Sequence, residues 1–195
     1  KIDGKDEYKL TGLTSIEIKT LYIPDTYQGL PVTAIDDIAF YTISSIEEVF
    51  VPNSVTGIGK QAFSGCSALT NVTIGNGTAS IGEQAFENCS ALSNVTIGMG
   101  VTSIGKQAFN NCSALTKVNY TGSIDEWVQI DFGNALANPL YYAKQLYIDV
   151  ELVTEAEITS AAKISDYAFY NCSALTSVTI GNSVTSIGWS AFCYC

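Results

Sequence analysis

The side chains best suited to chemistry in this chain are its six cysteines. An even number of cysteines would permit disulfides in a secreted protein. Five of them, however, occupy the same position of a repeated sequence motif, beside phenylalanine and leucine. This position favours buried, reduced thiols that pack as small hydrophobic residues. These five are Cys66, Cys89, Cys112, Cys172 and Cys195. Cys193 lies outside that register, so we predict that it alone is exposed or reactive.

Acidic pairs are the second feature that could support chemistry. Adjacent carboxylates usually point apart, whereas general acid–base catalysis needs two of them facing each other across a cleft. Calcium binding through the acids and nearby asparagines is an alternative, but the sequence has no Asp-x-Asp-x-Asp-Gly loop. We therefore predict solvated surface charge, with no catalytic residue, no metal site and no cofactor. The pairs are Asp36 and Asp37, Glu47 and Glu48, and Asp125 and Glu126.

The overall charge excludes several classes of function. The chain has nine lysines and no arginine or histidine, against 19 acidic residues, so its net charge is −10. Nucleic-acid binding needs clustered positive charge, which is absent here. Without histidine, the usual base of serine and cysteine nucleophiles and the commonest zinc ligand are both missing. The sequence also has no run of about 18 apolar residues that could insert into a membrane.

The elements that position these side chains follow from an internal repeat. Residues 58–69, 81–92 and 104–115 read IGKQAFSGCSAL, IGEQAFENCSAL and IGKQAFNNCSAL, and the pattern returns at residues 164–175. The cysteines of the first three copies lie 23 residues apart. A fixed period of about 20–50 residues indicates structural units that stack on one another.

Each repeat contains a strand signal and a turn signal. The alternation Leu-x-x-Val-x-Ile predicts short strands near residues 70–74, 93–97, 116–120 and 176–180. The Ile-Gly-x-x-Ala-Phe segment has apolar residues three to five apart, which indicates a short helical or 3-10 turn. We therefore predict an α/β-type repeat solenoid, with a parallel β-sheet on one face and short helical or 3-10 turns on the other.

The repeat divides the chain into an N-terminal region and a solenoid. Residues 1–31 are expected to form an N-terminal cap, and residues 32–195 the repeat stack. Within residues 121–160 we expect a short helix at 123–130, capped by Ser123, and a hairpin of residues 146–148 with residues 153–158 around residues 149–151. The repeats lie near 32–54, 55–77, 78–100 and 101–120, followed by the irregular insert at 121–160, a repeat at 161–183 and an incomplete repeat at 184–195.

The repeated phrase resembles the Treponema-type, or BspA-like, leucine-rich repeats. The similarity covers roughly residues 32–120 and 161–195, and parts of the insert also look like segments that these proteins carry. The resemblance implies a right-handed leucine-rich-repeat solenoid, usually part of a secreted or cell-surface protein associated with adhesion. It implies no catalytic residues and no fixed binding motif. Ile43 at the cysteine position of the first repeat and the long insert depart from the family pattern.

Two surfaces are candidates for binding. Small polar residues on the strands could contact an extended partner, although the same residues would also keep a solvent-facing sheet soluble. The insert offers aromatic anchors, which often dominate interfaces, although these rings could instead pack the insert onto the coils. The strand candidates are Thr70, Asn71, Thr73, Ser93, Asn94, Thr96, Thr116, Lys117, Asn119, Thr176, Ser177 and Thr179, and the insert candidates are Trp127, Tyr141 and Tyr142.

These observations favour a non-enzymatic module for protein interaction or adhesion in a secreted or cell-surface protein. The alternatives are a carbohydrate-binding module that uses Trp127 and the tyrosines, and a structural spacer in a larger surface protein. We expect a host, matrix or microbial surface protein as the partner, with a glycan as the second possibility and with no nucleic acid or membrane insertion. Trp189, Phe192 and Cys195 begin a coil that leaves an apolar end open, so we also expect weak self-association through this end.

Overall fold

Two parallel β-sheets run along the repeat stack in the computed structural model, which describes residues 7–12 and 18–195. The strands are β1 (Tyr8–Leu10), β2 (Thr20–Tyr22), β3 (Thr26–Tyr27), β4 (Leu30–Ile35), β5 (Glu48–Val51), β6 (Gly57–Ile58), β7 (Asn71–Ile74), β8 (Ser80–Ile81), β9 (Asn94–Ile97), β10 (Ser103–Ile104), β11 (Lys117–Tyr120), β12 (Asp131–Phe132), β13 (Leu146–Ile148), β14 (Glu151–Leu152), β15 (Glu155–Ile158), β16 (Lys163–Ile164), β17 (Ser177–Ile180) and β18 (Ser186–Ile187). The helical segments are α1 (Ile124–Trp127), a 3-10 helix (Ala135–Ala137) and α2 (Leu140–Ala143).

The long-strand sheet has the order β14-β13-β11-β9-β7-β5-β2. Its strands are parallel, except that β14 runs antiparallel to β13. Equivalent residues of successive repeats lie side by side, so Val72 pairs with Val95 and Val95 with Val118. All four strands predicted from the Leu-x-x-Val-x-Ile alternation are present, as β7, β9, β11 and β17. The structure therefore confirms that one 23-residue repeat forms one coil.

The other side of the solenoid corrects the predicted helical face. It carries a short-strand sheet in the order β1-β4-β6-β8-β10-β12, and the Ile-Gly-x-x-Ala-Phe segments after its strands form turns. Alternate amides bond to the neighbouring coil: the Gln61 amide donates to the Glu83 carbonyl at 2.9 Å, and the Phe63 amide to the Ala85 carbonyl at 2.8 Å. The amides between them form isolated turn bonds within the coil, such as that from Ser64 to the Gln61 carbonyl at 3.1 Å, and these do not continue as a helix. The protein is a parallel-strand β-solenoid, so "α/β" is too broad a description.

Two ladders of equivalent side chains fill the space between the sheets. Phe40, Phe63, Phe86 and Phe109 stack with ring centroids 4.9, 5.3 and 5.4 Å apart. The carbonyls of the first three phenylalanines accept hydrogen bonds from the cysteine thiols of the next coil, and the Cys89 thiol lies 3.2 Å from the Phe63 oxygen. Because each of these residues packs on its own equivalent, the ladders stabilise the stack through contacts between coils.

Residues 121–160 form an enlarged coil that separates two parts of the stack. Helix α1 begins at the predicted cap, Ser123, whose hydroxyl accepts the Glu126 amide in a capping box. The strands β12 and β13 still pair with β10 and β11, respectively. A hairpin is present at residues 149–151, but its second arm was predicted wrongly: β13 pairs with β14, whereas the predicted arm at 153–158 contains β15, which pairs in parallel with β17. The pairs β15–β17 and β16–β18 therefore form separate two-stranded sheets.

Asp125 connects the insert to the last part of the stack. Its carboxylate accepts hydrogen bonds from the backbone amides of Thr159, Ser160 and Ala161, at 3.0, 3.0 and 2.9 Å. Partial burial opposes ionisation of Asp125, but these amides and the Thr159 hydroxyl together lower its pKa. The carboxylate thus caps the turn after β15 and ties it to α1.

The N-terminal strands continue the pattern of the repeats. Strand β2 pairs with β5 in the long-strand sheet, and β1 pairs with β4 in the short-strand sheet. The assignment of residues 1–31 as a cap stays a prediction, and residues 1–6 and 13–17 within it lie outside the described residues. The repeat boundaries listed from the sequence also stay predictions.

Candidate binding surfaces

The outward residues of six adjacent long strands form a continuous surface, here named the strand face. The strands are β2, β5, β7, β9, β11 and β13, and the hydrogen-bond register aligns their outward residues in two rows. One row is Thr20, Glu48, Asn71, Asn94 and Lys117; the other is Tyr22, Phe50, Thr73, Thr96, Asn119 and Tyr147. The structure thus brings together the predicted candidates of three repeats and adds residues from β2, β5 and β13.

Four of the predicted strand candidates hold neighbouring coils together. Each lies just before its strand and donates its hydroxyl hydrogen to a backbone carbonyl of the preceding coil. The bonds run from Thr70 to Glu47 (2.9 Å), from Ser93 to Thr70 (3.1 Å), from Thr116 to Ser93 (3.3 Å) and from Thr176 to Thr154 (2.8 Å). These hydroxyls satisfy carbonyls at the strand ends, so their recurrence has a structural reason.

The remaining candidates on the strand face offer hydrogen-bonding groups. The Asn94 amide donates to the Asn71 side-chain oxygen at 2.9 Å, which continues a polar ladder along the first row. The Asn119 side-chain oxygen accepts the Val150 amide at 3.2 Å. Thr73 and Thr96 lie between these residues on the partly exposed second row. A row of small polar side chains can bind a backbone laid across the strands.

Ser177 and Thr179 lie apart from this surface. Both are exposed on β17, which pairs with β15 in a separate two-stranded sheet. The enlarged coil and the β13–β14 hairpin interrupt the hydrogen-bonded ladder between the two sheets. The repeat pattern alone grouped these residues with the other strand candidates, because it contains no information about this interruption.

Aromatic residues that the sequence analysis missed lie at both ends of the strand face. The rings of Tyr22 and Phe50 stack in parallel, with centroids 4.7 Å apart, and Tyr22 is 70% exposed. At the other end, the Lys117 ammonium lies 4.6 Å from the centroid of the Tyr147 ring. The sequence did contain a signal: Tyr22, Phe50 and Tyr147 each replace the threonine or asparagine of the regular repeats between two inward apolar residues.

The structure corrects the proposed role of Trp127 in binding. Its ring is fully buried, and its indole nitrogen donates a hydrogen bond to the Ala168 carbonyl at 2.9 Å. The ring also packs edge-to-face against Tyr120, with centroids 5.4 Å apart. Trp127 therefore joins the enlarged coil to the following repeat and presents no surface to a ligand. The carbohydrate-binding alternative cannot rest on this residue.

Tyr141 and Tyr142 are half-buried at the edge of the enlarged coil. The Tyr142 hydroxyl accepts the Asn111 amide at 3.0 Å, which ties this residue to an earlier coil. The Tyr141 ring stacks in parallel on Tyr170, with centroids 5.9 Å apart. Both residues therefore help to pack the coil, and Tyr141 also belongs to a group of rings beyond the insert.

The cysteines divide into buried and accessible thiols. Burial raises the pKa of Cys66 and Cys112 to about 12 and that of Cys172 to about 11, and it also raises the pKa of Cys89 well above its usual value. Cys195 departs from the prediction: it is exposed, although its thiol bonds to the Phe169 carbonyl. Cys193 is partly exposed, as expected, and all six thiols are unpaired.

The described part of the chain contains neither a metal-binding cluster nor a membrane-spanning helix. Within residues 7–12 and 18–195, no cluster of three or more histidine, cysteine, aspartate or glutamate side chains is placed to hold a metal ion. The helices of that same part of the chain all lack the length and hydrophobicity needed to cross a bilayer.

The sequence matches the model of the BspA type leucine-rich repeat region in six copies, over residues 33–138 and 144–195. The chain belongs to this family. The match runs well into the insert, so the enlarged coil contains a variant of the repeat. Leucine-rich-repeat proteins are generally protein-interaction modules, and the family is one of non-enzymatic repeat proteins. No protein with a curated description matches the sequence significantly.

Solved structures of bacterial leucine-rich-repeat proteins share the fold. The T. pallidum leucine-rich repeat protein superposes with a TM-score of 0.61 at 23% identity, covering 97% of this chain and 82% of its own. A leucine-rich cell surface protein of Faecalibacterium prausnitzii gives 0.51 at 25% identity, covering 96% and 48%. A leucine-rich-repeat protein of Bacteroides ovatus gives 0.53 at 21%, covering 91% and 47%. The chain spans about half the length of the latter two proteins.

Proposed function

We propose that this chain is a non-enzymatic protein-interaction module whose strand face binds an extended segment of a protein partner. The observation that carries the proposal is the continuity of the strand face across six hydrogen-bonded strands. Strands of a sheet lie about 4.8 Å apart, so the face extends over roughly 24 Å. Its centre carries small polar groups, one end carries the exposed Tyr22 ring and the other the partly exposed Tyr147 ring, which supports hydrogen bonding along the face and anchoring at its ends.

The proposal extends to the setting of the module. We propose that it belongs to a secreted or cell-surface protein that adheres to host, matrix or other microbial proteins. Family membership supports this setting, as does the likeness to a Faecalibacterium protein described as a cell surface protein. The net charge of −10 would favour partners with basic surfaces, since opposite charge steers association.

Binding to immobilised matrix proteins tests the role of the strand face. Fibronectin, laminin and collagen are suitable probes, measured by biolayer interferometry. Tyr22→Ala and Tyr147→Ala, at the two ends of the face, should each weaken binding at least about tenfold, because each removes an anchoring ring. Trp189→Ala is the matched control, since it removes an exposed ring from another surface and should leave this binding unchanged.

Two outcomes would contradict the proposal. One is undiminished binding by both strand-face variants, and the other is an absence of binding to every matrix probe. An absence of binding in both the matrix-protein and the glycan screens would favour the alternative of a structural spacer.

A further inference from the structure

The outer turns, which lead from each short strand to the next long strand, change character along the chain. They are residues 36–42, 59–65, 82–88, 105–111, 165–171 and 188–194. In the turns at 59–65, 82–88 and 105–111, the two positions on each side of the buried Ala-Phe pair carry charged residues, glutamine, serine, asparagine or glycine. The turn at 36–42 carries Ile38 and one exposed aromatic residue, Tyr41. In the last two turns, four of these positions are aromatic. The four residues are Tyr167, Tyr170, Trp189 and Tyr194.

The backbone conformation does not account for these aromatic residues. Tyr167 and Tyr194 both adopt a left-handed conformation with φ of 62°. The equivalent positions of earlier turns hold isoleucine or glutamine at the first site and threonine, glycine or asparagine at the second. A bulky residue adopts this conformation at a cost that glycine and asparagine largely avoid. The left-handed conformation is therefore compatible with several residue types and does not by itself select tyrosine.

The rings form one connected group on the surface. Tyr170 is its centre: it stacks on Tyr141 and lies 5.9 Å from Tyr167 and 5.5 Å from Tyr194, measured between ring centroids. Tyr167 in turn contacts Trp189 edge-to-face at 5.3 Å. Most of these contacts are perpendicular, so they hold neighbouring rings in place without covering both of their faces.

A cleft of about 470 Å³ lies beside this group. One wall is the segment that contains Asn134 and Leu136, and the other contains Tyr167, Trp189 and Tyr194, with Ser190 and Cys193 also lining it. Its volume falls within the range of about 300–1,000 Å³ that is usual for small-ligand sites. No aspartate, glutamate or lysine lines the cleft, which favours an uncharged ligand.

Trp189 and Tyr194 are exposed because of their position in the coil and not because the chain ends nearby. Trp189 and Tyr194 are each 69% exposed. Lys106 and Asn111, their equivalents in a coil that is covered on both sides, are exposed as well. A further coil stacked on the last one would bury Ile187, but the outer turn would still face solvent. Burial of the two rings contributes little to folding, so stability does not explain them.

We propose that this cleft binds a neutral sugar chain, with Trp189 and Tyr194 as stacking platforms. A sugar ring has an apolar C–H face bordered by hydroxyl groups, and tyrosine and tryptophan likewise combine a ring face with a polar group. The Asn134 amide and the Ser190 hydroxyl lie within the same cleft to bond the sugar hydroxyls. The net charge of −10 disfavours acidic polysaccharides. The site is separate from the strand face and uses none of its residues.

Affinity electrophoresis through gels that contain a neutral polysaccharide tests the proposal. Mannan, β-glucan and arabinogalactan serve as probes, heparin as the acidic comparison and a decaproline peptide as the competing ligand class. At least one neutral polysaccharide should retard the protein. Trp189→Ala and Tyr194→Ala should each weaken that retardation at least about tenfold, the loss expected for one stacking ring. Tyr22→Ala, which removes an exposed ring of the strand face, is the matched control and should leave retardation unchanged.

The outcomes separate this proposal from that for the strand face. Loss of sugar binding in the Trp189 and Tyr194 variants, with matrix-protein binding intact, supports the cleft as a sugar site. Retardation by none of the neutral polysaccharides overturns it, as does retardation that persists in both variants. Binding of decaproline in the cleft without any sugar binding would also overturn it and would identify the cleft as a peptide site.

Discussion

The regular coils before residue 120 and the coils after residue 161 share the same repeat motif but expose different types of side chain. In both regions the phenylalanine rings stack, at 5.3 Å between Phe63 and Phe86 and at 5.5 Å between Phe169 and Phe192. The outer turns differ: the earlier coils have the Lys60–Glu83 ion pair, whereas the later ones carry Trp189 and its neighbouring tyrosines.

This difference separates the residues that build the solenoid from those available for function. The inward positions are constrained because each packs on its own equivalent in the next coil. The outward positions contact equivalents in the next coil through bonds that several residue types can make, so charge in the regular coils and aromatic rings in the later ones are both compatible with the fold. A change of residue type at an outward position therefore carries more information about function than any recurring residue does.

Thiol reactivity gives the largest expected difference between the two regions. In native protein, Cys193 should react with a maleimide at least about a thousandfold faster than Cys89, which becomes accessible only when its coil opens. Cys195 should react more slowly than Cys193, because partial burial raises its pKa. Peptide mapping after timed labelling measures each rate, and denatured protein should yield all six thiols. Comparable rates for Cys89 and Cys193 would contradict the buried ladder.

Truncation of the phenylalanine ladder should show the next largest effect. Phe86→Ala should lower the free energy of unfolding by about 3–5 kcal/mol, because Phe86 is buried between two neighbouring rings. Phe192→Ala should cost roughly 1–2 kcal/mol, since Phe192 stacks on Phe169 alone and remains partly exposed. Urea denaturation followed by circular dichroism measures both. Phe86→Leu, which keeps most of the volume, serves as the control, and equal losses for the two alanine variants would refute the comparison.

The junction between the two regions should show the smallest effect. Asp125→Asn should lower stability by about 1–2 kcal/mol near neutral pH, because the amides of residues 159–161 lose a charged acceptor. Since folding lowers the pKa of Asp125, its contribution is present above the unfolded pKa of about 3.9 and is lost as pH falls through the folded value.

Unfolding measured from pH 7 to pH 3 tests this sign. The stability difference between the Asp125→Asn variant and the unmodified chain should stay constant above about pH 5 and shrink below pH 4. Glu157→Gln, an exposed change on β15, is the control and should alter stability little at any of these pH values. A difference that grows on acidification would contradict the assigned role of the carboxylate.

The sequence predicted much of the fold because the repeat reports which residues face inward. The four long strands, the Ser123 cap and the reversal at residues 149–151 all follow from local patterns. The partner of β13 in that hairpin and the short-strand sheet did not, since a two-residue strand has no periodicity of its own and is held by bonds to its neighbours. The helical or 3-10 turns expected on this side are not confirmed, because these segments form isolated turns that bond to the neighbouring coil.

The binding candidates were predicted less well than the fold. Trp127 was a binding candidate because an aromatic residue in an irregular segment can either anchor a ligand or pack the segment onto the core. Its contact with Ala168 in the structure decides between these two roles. Tyr22 and Phe50 were overlooked because they lie in degenerate repeats, where the register is hard to read. The ring group around Tyr170 was not recognised, because its members come from the insert and from two different coils.

The sequence by itself determined the period, the inward residues, the reduced state expected of the ladder cysteines and the absence of histidine chemistry. The stacked architecture follows from the period and the inward residues, because equivalent units bury the same positions in every coil. Only the tertiary structure decided which polar and aromatic residues share a surface. It placed Tyr22 and Tyr147 at opposite ends of one face and Trp189 beside a cleft, since proximity across coils depends on register and on the path of the insert.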